Sequence, residues 1–236
     1  MPVASRPGRP ASSHAPGAMS SWSGAVAVNT WWLTEEIAAE NCIAAYQPIA
    51  AANIAASYVN LAHPGTHDCT NGTAPAWNST AGWIFNGTTN SRYLKTGVIP
   101  VNNQTWSMIV RFTGAADVNT ALAGYWADAW ADPMFILLPR DGGDRVYYGN
   151  GKRSLVAPRL TSGVMCVAGT KGFRNGVDEG ITIASGVGTF GEIYIGCVKL
   201  GSVAGYFSTI NIQAMAIFDV DISASAAALT IAIAAL

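Results

Sequence analysis

Alternating apolar and polar positions predict that most of this chain is β-strand. In residues 106–112 the apolar side chains from Trp106 to Phe112 occupy every second position, and Ser107 and Arg111 fall between them. This period of two is typical of a half-buried strand. Similar runs, separated by turns rich in Gly, Asn and Thr, occur at 83–85, 134–138, 146–148, 164–168, 181–183, 192–195 and 210–218. Such a series, with no helical pattern between the strands, predicts an all-β antiparallel two-sheet sandwich rather than a parallel α/β fold.

Two short helices are predicted at the ends of the β-rich region. Thr34 is a suitable N-cap, and Glu35 and Glu36 would lie in the first turn, where the helix dipole favours carboxylates. We therefore predict a helix near residues 34–46. A second helix is predicted near residues 223–235, since Ser223 precedes a run rich in Ala and Leu.

The first 43 residues differ from the rest and are predicted to form an extended N-terminal arm. Residues 1–21 hold four prolines among small polar residues and cannot bury enough apolar surface to fold alone. We therefore predict an arm with its short helix at 1–43 and a β-sandwich domain at 44–236. The arm is expected to anchor the chain in an assembly, with its basic and aromatic side chains as the contacts: Arg6, Arg9, Trp22, Trp31 and Trp32.

Composition excludes several classes of partner. Of the 236 residues 11% are charged, the formal net charge is -1, and no basic run is present, so nucleic acid is an unsuitable ligand. The longest apolar run, 226–236, is shorter than the roughly 20 residues that cross a bilayer. No apolar stretch follows the N-terminal arginines, so no signal peptide is predicted. These features leave a cytoplasmic protein, export by another route, or a virion or other extracellular particle, and we favour the particle.

The four cysteines, Cys42, Cys69, Cys166 and Cys197, form no C-x-x-C pair, which disfavours a zinc knuckle. Buried free thiols are the simpler interpretation. The alternative is two disulfides, 42 with 69 and 166 with 197, although four cysteines permit three connectivities that the sequence does not separate.

The segment Tyr125–Asp132 is the strongest candidate for ligand binding. If extended, it presents Trp126, Asp128, Trp130 and Asp132 on one face, with alanines opposite. Alternating rings and carboxylates could stack on sugar rings and bind their hydroxyls. The alternative is that the tryptophans fill a subunit interface.

No cofactor is predicted, although two groups of side chains are candidates for metal ligands. His63, His67 and Asp68 share one loop that could hold a transition metal, but a solvated loop is the simpler interpretation. Acidic loop positions could supply oxygen ligands to calcium, but their spacing matches no dedicated calcium loop: Asp117, Asp141, Asp144, Asp219 and Asp221.

Several segments together resemble the concanavalin A-like lectin/glucanase superfamily in its laminin G-like form. They are Gly82–Gly87 with Tyr93-Leu94, Gln104–Phe112, Val167–Gly176, Gly191–Gly196, Ile210–Asp219 and Ile222–Leu229. The resemblance covers about residues 44–236 and implies a jelly-roll of two stacked antiparallel sheets. Some related domains carry calcium.

A retaining glucanase of that superfamily needs two carboxylates about 5–5.5 Å apart on one strand face. The five glutamates are at 35, 36, 40, 179 and 192, and only the first three cluster, outside the sandwich. We therefore expect no enzymatic activity.

These observations predict a non-catalytic structural or adhesive component of a virion or fibre, such as a phage head decoration, head fibre or tail-associated protein. Its expected partners are copies of itself, other particle subunits and a surface glycan. The alternatives are a carbohydrate-binding module of a cell-surface protein and a degenerate glycan hydrolase.

Overall fold

Two antiparallel sheets pack face to face in the computed structural model. The structure describes residues 1, 30–87, 91–116, 119, 121–128, 131–142, 146–149, 152–153, 159–186 and 188–236. The predicted all-β sandwich is confirmed. Eight of the described strands form sheet A: β1 (Cys42–Tyr46), β3 (Ala76–Asn78), β4 (Gly82–Asn86), β6 (Ser107–Thr113), β11 (Gly163–Ala168), β12 (Lys171–Arg174), β13 (Val177–Asp178) and β17 (Thr209–Phe218). Nine form sheet B: β2 (Thr70–Thr73), β5 (Tyr93–Lys95), β7 (Ala123–Asp128), β8 (Ala131–Leu138), β9 (Tyr147–Tyr148), β10 (Lys152–Arg153), β14 (Tyr194–Ile195), β15 (Val198–Leu200) and β16 (Val203–Gly205).

Strand β17 is the centre of sheet A. It pairs with β6 on one side, and on the other with β4 through its first half and with β1 through its second half. Beyond β6 the sheet continues through β11, β12 and β13, and beyond β4 it ends at β3.

Strand β7 has the corresponding role in sheet B. It pairs with β8 on one side, and on the other with β14 in antiparallel and β15 in parallel orientation. The sheet runs from β10 through β9 and β8 to β7, then through β14 and β5 to β2. The chain between β14 and β15 therefore turns along the edge of β7.

Apolar side chains from both sheets fill the space between them. In β6 the even-numbered residues Met108, Val110 and Phe112 lie in this interior cluster together with the preceding Trp106, whereas Arg111 is half-buried on the other face. The face predicted from the alternation of residues 106–112 is therefore confirmed.

The outer face of sheet A is covered by a second apolar cluster. The helix α2 (Ala226–Ala234) lies there with Leu229 and Ile233 buried, and Trp31 and Trp32 join the same cluster. Ser225 Oγ, at the start of α2, donates a hydrogen bond of 2.7 Å to Glu36, so the segment before β1 is tied to this helix. The predicted C-terminal helix is confirmed.

The helix predicted near residues 34–46 is wrong. Thr34 does begin a turn, since its Oγ1 accepts from the N–H of Glu36 at 3.3 Å, but only a single 3-10 turn (Ala39–Asn41) follows, and residues 42–46 form strand β1. Pairing with β17 gives this segment its backbone hydrogen bonds and buries Tyr46 in the interior. This tertiary burial overrides a weak local helix preference. The other described helix is the short α1 (Ile54–Ser57).

All four cysteines are buried free thiols, so the simpler interpretation is confirmed. The alternative pairing of Cys42 with Cys69 would need to cross a sheet, because Cys42 lies in the outer cluster of sheet A and Cys69 in the interior cluster. Cys166 also lies on the outer face of sheet A, whereas Cys197 lies between β14 and β15 of sheet B.

Candidate functional site

The outer face of sheet B carries a set of aromatic side chains. Residues that flank them in sequence belong to the interior cluster, among them Leu94, Ile195, Tyr125 and Tyr148. Because strand side chains alternate between faces, the aromatic residues next to these interior residues lie on the outer face of sheet B. Two more rings come from the loop before β17. We call the whole set the aromatic row: Tyr93, Trp126, Tyr147, Tyr194, Tyr206 and Phe207.

Three rings meet at one end of the row. The ring centroid of Tyr93 lies 5.0 Å from that of Tyr194 and 6.1 Å from that of Phe207. Tyr93 and Phe207 are half-buried, so part of each ring is open to solvent. Lys95 pairs directly opposite Tyr194 across two strands, and the Nζ of Lys199 lies 5.8 Å from the Tyr194 ring centroid. The ammonium group of Lys199 therefore borders this ring surface, and Lys95 lies on the neighbouring strand.

The phenol of Tyr194 remains protonated in this setting. Burial raises the pKa of Tyr194, and the negative charge of Glu192 raises it further. Glu192 itself accepts a 2.7 Å hydrogen bond from the backbone N–H of Gly97. The Tyr194 side chain therefore keeps its O–H as a hydrogen-bond donor.

The other end of the row is formed by Trp126 and Tyr206. Their rings stack with centroids 5.4 Å apart and planes inclined by 28°. Trp126 is only 3% exposed, whereas Tyr206 is half-buried above it. On the strands, Trp126 is two residues beyond Gly124, which pairs with Tyr194, and such diagonal neighbours are within reach of aromatic side chains. The two ends of the row are therefore adjacent.

Tyr206 is held in a strained backbone conformation. Its φ is +53°, a value that bulky residues rarely adopt. The backbone N–H of Ala121 donates to the Tyr206 carbonyl at 3.0 Å, and two residues later Ser208 Oγ donates to the carbonyl of Ala121. Strained residues of this kind occur disproportionately at functional sites.

A small cavity lies at the Trp126 end of the row. Its volume is about 20 Å³. Its walls are three rings, two aliphatic side chains and two polar side chains: Trp126, Tyr147, Tyr206, Ile136, Leu138, Asn119 and Asp141. The backbone N–H of Asn119 donates to the carbonyl of Arg140 at 2.9 Å, so the turns that carry Asn119 and Asp141 are joined.

The segment Tyr125–Asp132 forms a hairpin rather than one extended strand. Trp126 pairs with Met134 and Asp128 with Ala131, with an irregular register between the two pairs. Trp130 and the side chains of Asp128 and Asp132 lie outside the described residues. Trp126 belongs to the aromatic row as a buried support for Tyr206. The ligand-binding role of all four residues stays a prediction.

The predicted arm contacts are only partly described. Arg6, Arg9 and Trp22 lie outside the described residues. Trp31 and Trp32 are buried against the chain's own sheet A, with ring centroids 5.8 Å apart in an edge-to-face arrangement. Their role in an assembly stays a prediction.

Two of the candidate metal ligands, Asp68 and Asp221, accept local backbone hydrogen bonds. Asp68 Oδ1 accepts hydrogen bonds from the backbone N–H groups of Asn60 at 2.8 Å and Gly65 at 3.2 Å, and so shapes its own loop. Asp221 Oδ1 accepts from the N–H of Ser223 at 2.8 Å. Within the described part of the chain, no three His, Cys, Asp or Glu side chains converge as a metal site. Asp117 and Asp144 are outside that part.

Sequence reasoning missed five members of the row: Tyr93, Tyr147, Tyr194, Tyr206 and Phe207. Tyr194 stands between Ile193 and Ile195, which both face the interior, so its alternation was a usable signal. Tyr93 has an interior neighbour on one side only, Leu94, and its signal was weaker. Tyr206 and Phe207 lie in a loop, where no period indicates a face.

Comparison with known proteins gives fold relatives only. No protein-family model and no curated protein matches the chain. Among solved structures, the chain is similar to a mutant of Trypanosoma rangeli sialidase displaying trans-sialidase activity, with 14% identity and a TM-score of 0.52, over 84% of this chain and 34% of that one. It is also similar to Trypanosoma rangeli sialidase in complex with 2,3-difluorosialic acid, with 13% identity and a TM-score of 0.53, over 83% of this chain and 33% of that one. The same sialidase in complex with sialic acid gives 15% identity and a TM-score of 0.51, over 83% and 33%.

The chain spans about a third of the length of these sialidase chains. The likeness is one of fold, since identity is low. It contradicts the expectation of no enzymatic activity, because the structural neighbours are sialidases. That expectation is therefore withdrawn.

The described residues contain no helix that is both long and apolar enough to span a bilayer.

Proposed function

We propose that this chain recognises glycans through the aromatic row on the outer face of sheet B. The observation that carries the proposal is the group of partly open rings, Tyr93, Phe207 and Tyr206, on one sheet face. The apolar faces of sugar rings stack on such side chains, whose bodies are apolar and whose tyrosine hydroxyls are polar. Tyr194 O–H and the ammonium groups of Lys95 and Lys199 supply donors at the edge.

The fold agrees with this proposal. About a third of each sialidase chain has a fold similar to this two-sheet sandwich. The similarity extends over more than four-fifths of the present chain. The resemblance of residues 44–236 to the concanavalin A-like lectin/glucanase superfamily in its laminin G-like form is a sequence pattern that points the same way. The particle role predicted from composition has no support from the sandwich or from its neighbours.

The test is a glycan array with the intact chain, followed by calorimetric titration of the strongest ligands. Tyr93→Ala should weaken binding about fivefold or more, because it removes one stacked ring, whereas Tyr93→Phe should keep most of the affinity. Val177→Ala, on the far edge of sheet A, is the matched control and should bind like the wild type. Binding that is equal in the wild type and Tyr93→Ala would refute the proposed face.

A second candidate function is hydrolysis of a bound glycan, which the sialidase neighbours favour. Incubation with sialyllactose and measurement of free sialic acid tests it, with heat-denatured chain as the blank. Release above the blank supports hydrolysis, and release equal to the blank refutes it for this substrate.

A further inference from the structure

We propose that a groove beside the end of α2 binds the carboxylate of a small hydroxylated acid, with the Arg111 guanidinium as its principal contact. Arg111 lies on the outer face of sheet A, so this site is on the opposite side of the sandwich from the aromatic row. The inference therefore goes beyond the proposed function and does not depend on it. The groove has a volume of about 480 Å³, and we call it the Arg111 groove after the first of its lining residues that carry the argument: Arg111, Ser162, Asn175, Gln213 and Ile231.

Arg111 is a charged side chain in an apolar setting. It pairs with Val164 of β11 on one side and with Ala214 of β17 on the other, and both belong to the apolar cluster outside sheet A. Removing a charge from water is costly unless an opposite charge or several hydrogen bonds compensate it. Within the described part of the chain, the guanidinium makes one hydrogen bond, from Nη1 to the carbonyl of Ile233 at 3.0 Å, and no ion pair. A ligand carboxylate would supply the opposite charge.

The guanidinium keeps donors for a ligand after this bond. It has five N–H groups in a fixed plane, and a carboxylate accepts two parallel N–H groups at once. The C-terminal end of α2 carries the equivalent of about half a negative charge, which opposes an anion but is smaller than the full charge of Arg111. Because the described residues that line the groove include no Asp or Glu, the sign of the local charge stays positive.

An irregularity in β17 adds an amide to the groove. Along this strand Ile212 and Met215 face the interior, whereas Ala214 belongs to the outer cluster. Pairing with β6 skips Gln213, because the register shifts between Ile212 and Ala214. Such a bulge changes the direction of a side chain, and bulges are over-represented next to active sites. Gln213 accordingly lines the groove together with Arg111.

The hairpin turn between β12 and β13 adds a second amide. Asn175 has φ +50° and Gly176 has φ +79°, so both central residues of the turn are left-handed. The Oδ1 of Asn175 accepts a hydrogen bond of 2.8 Å from the backbone N–H of Val164, which fixes the plane of the amide. A side chain at Gly163 would displace this amide, since an added Cβ would collide with Oδ1. The Nδ2 donors of Asn175 therefore have a fixed direction at the groove.

The polar lining indicates the kind of acid. Ser162, Asn175 and Gln213 bring one hydroxyl and two amides to the groove. These groups both donate and accept, and so they suit the hydroxyl groups of a ligand. The volume falls within the range of about 300–1,000 Å³ that is typical of small-molecule sites. The ligand class is thus a small acid with several hydroxyl groups, either a sugar acid or an open-chain hydroxy acid.

The first experiment titrates the intact chain with glucuronate, gluconate and glucose, and measures each affinity by ligand-observed NMR. At least one of the two acids should bind roughly tenfold more tightly than glucose, which is the neutral reference. A preference for glucuronate identifies a sugar acid, a preference for gluconate identifies an open-chain acid, and equal affinities mean that the groove accepts both. Arg111→Gln should remove the advantage over glucose. Arg111→Lys keeps the charge but not the paired N–H groups, and its affinity for the acid should lie between those of the wild type and Arg111→Gln.

Lys171→Gln is the matched control, because it removes one positive charge from the exposed start of β12. It should leave the three affinities unchanged. If neither acid binds better than glucose, or if Arg111→Gln retains the advantage, the inference is refuted while the proposed glycan face stands.

A second pair of variants leaves the packing of Arg111 intact. Ile231 lines the groove and is 73% exposed, so a polar side chain is tolerated there. Ile231→Glu and Ile231→Gln introduce side chains of the same shape that differ by one charge. At low salt the Glu variant should bind the tighter of the two acids about fivefold more weakly than the Gln variant, whereas glucose should not distinguish them. Equal affinities of the two variants for the acid would overturn the site, even if Arg111→Gln fails to fold.

Discussion

Replacing Asn60 with alanine should strongly destabilise the chain, although the exchange removes only one polar side chain. Asn60 is completely buried, and its side chain makes four hydrogen bonds. Its Oδ1 accepts from the backbone N–H groups of Ala45 at 2.9 Å and Ala62 at 3.0 Å. Its Nδ2 donates to the carbonyls of Ile43 at 2.9 Å and Thr66 at 2.8 Å. One amide thus joins β1 to the loop that leads to β2.

The magnitude follows from these four bonds. Asn60→Ala leaves two backbone N–H groups and two carbonyls without their partner, at a net cost of about 1 kcal/mol each. The expected loss in free energy of unfolding is therefore about 4 kcal/mol. Asn102→Ala is the matched control, because Asn102 Oδ1 accepts from the backbone N–H groups of Gln104 and Thr105, both at 2.9 Å, in an exposed turn where water can replace it. Its loss should not exceed about 1 kcal/mol.

The assay is urea denaturation followed by tryptophan fluorescence, with the midpoint and slope fitted for each variant. The slope should stay constant while the midpoint of Asn60→Ala falls well below that of Asn102→Ala. Equal midpoints for the two variants would show that the buried amide does not hold β1 in place.

Three further outcomes test the fold. Gly82→Ala should cost more than about 3 kcal/mol, because Gly82 has φ +78° and a Cβ there would clash with the carbonyl of Ile212. The control Gly114→Ala has a similar φ of +75° but open space around the added Cβ, and should cost about 1 kcal/mol. Similar melting temperatures for the two variants would contradict this. Trp106→Ala should destabilise by about 3–5 kcal/mol, since the ring is 7% exposed in the interior, and melting within a degree of the wild type would refute the assigned face. Burial raises the pKa of Cys42 from 9.0 to about 12, so between these values the folded chain keeps a proton that the unfolded chain loses. The free energy of unfolding should therefore be constant up to about pH 9 and fall between about pH 9 and 12. Urea midpoints that are unchanged at about pH 10.5 would disprove this.

Local sequence was sufficient to predict the sandwich where one face of a strand is apolar. Met108, Val110 and Phe112 were assigned to the interior because a period of two specifies the face, and the structure agrees. The C-terminal helix was predictable for a similar reason, since its Ala-rich run has high intrinsic propensity.

Strand β1 shows where such reasoning fails. Residues 42–46 contain Ile, two alanines and Tyr, which fit either a helix or a strand. Their partners Met215, Ala216 and Phe218 lie near the other end of the chain. No local pattern contains that information, because the pairing depends on the whole of sheet A.

The two outer faces of the sandwich differ in a way that favours sheet B as the glycan-binding face. Sheet A has its outer apolar side chains covered by α2 and by Trp31 and Trp32, so the apolar part of that face is closed by the chain itself. On sheet B the described residues include no helix above the aromatic row, and Tyr93, Phe207 and Tyr206 remain partly open. The backbone of Tyr206, at φ +53°, costs free energy, and such strain occurs more often at functional sites than elsewhere. Since that strain orients a ring over Trp126 and beside Asp141, its physical effect is to shape a concave polar and aromatic surface, which is what a glycan requires.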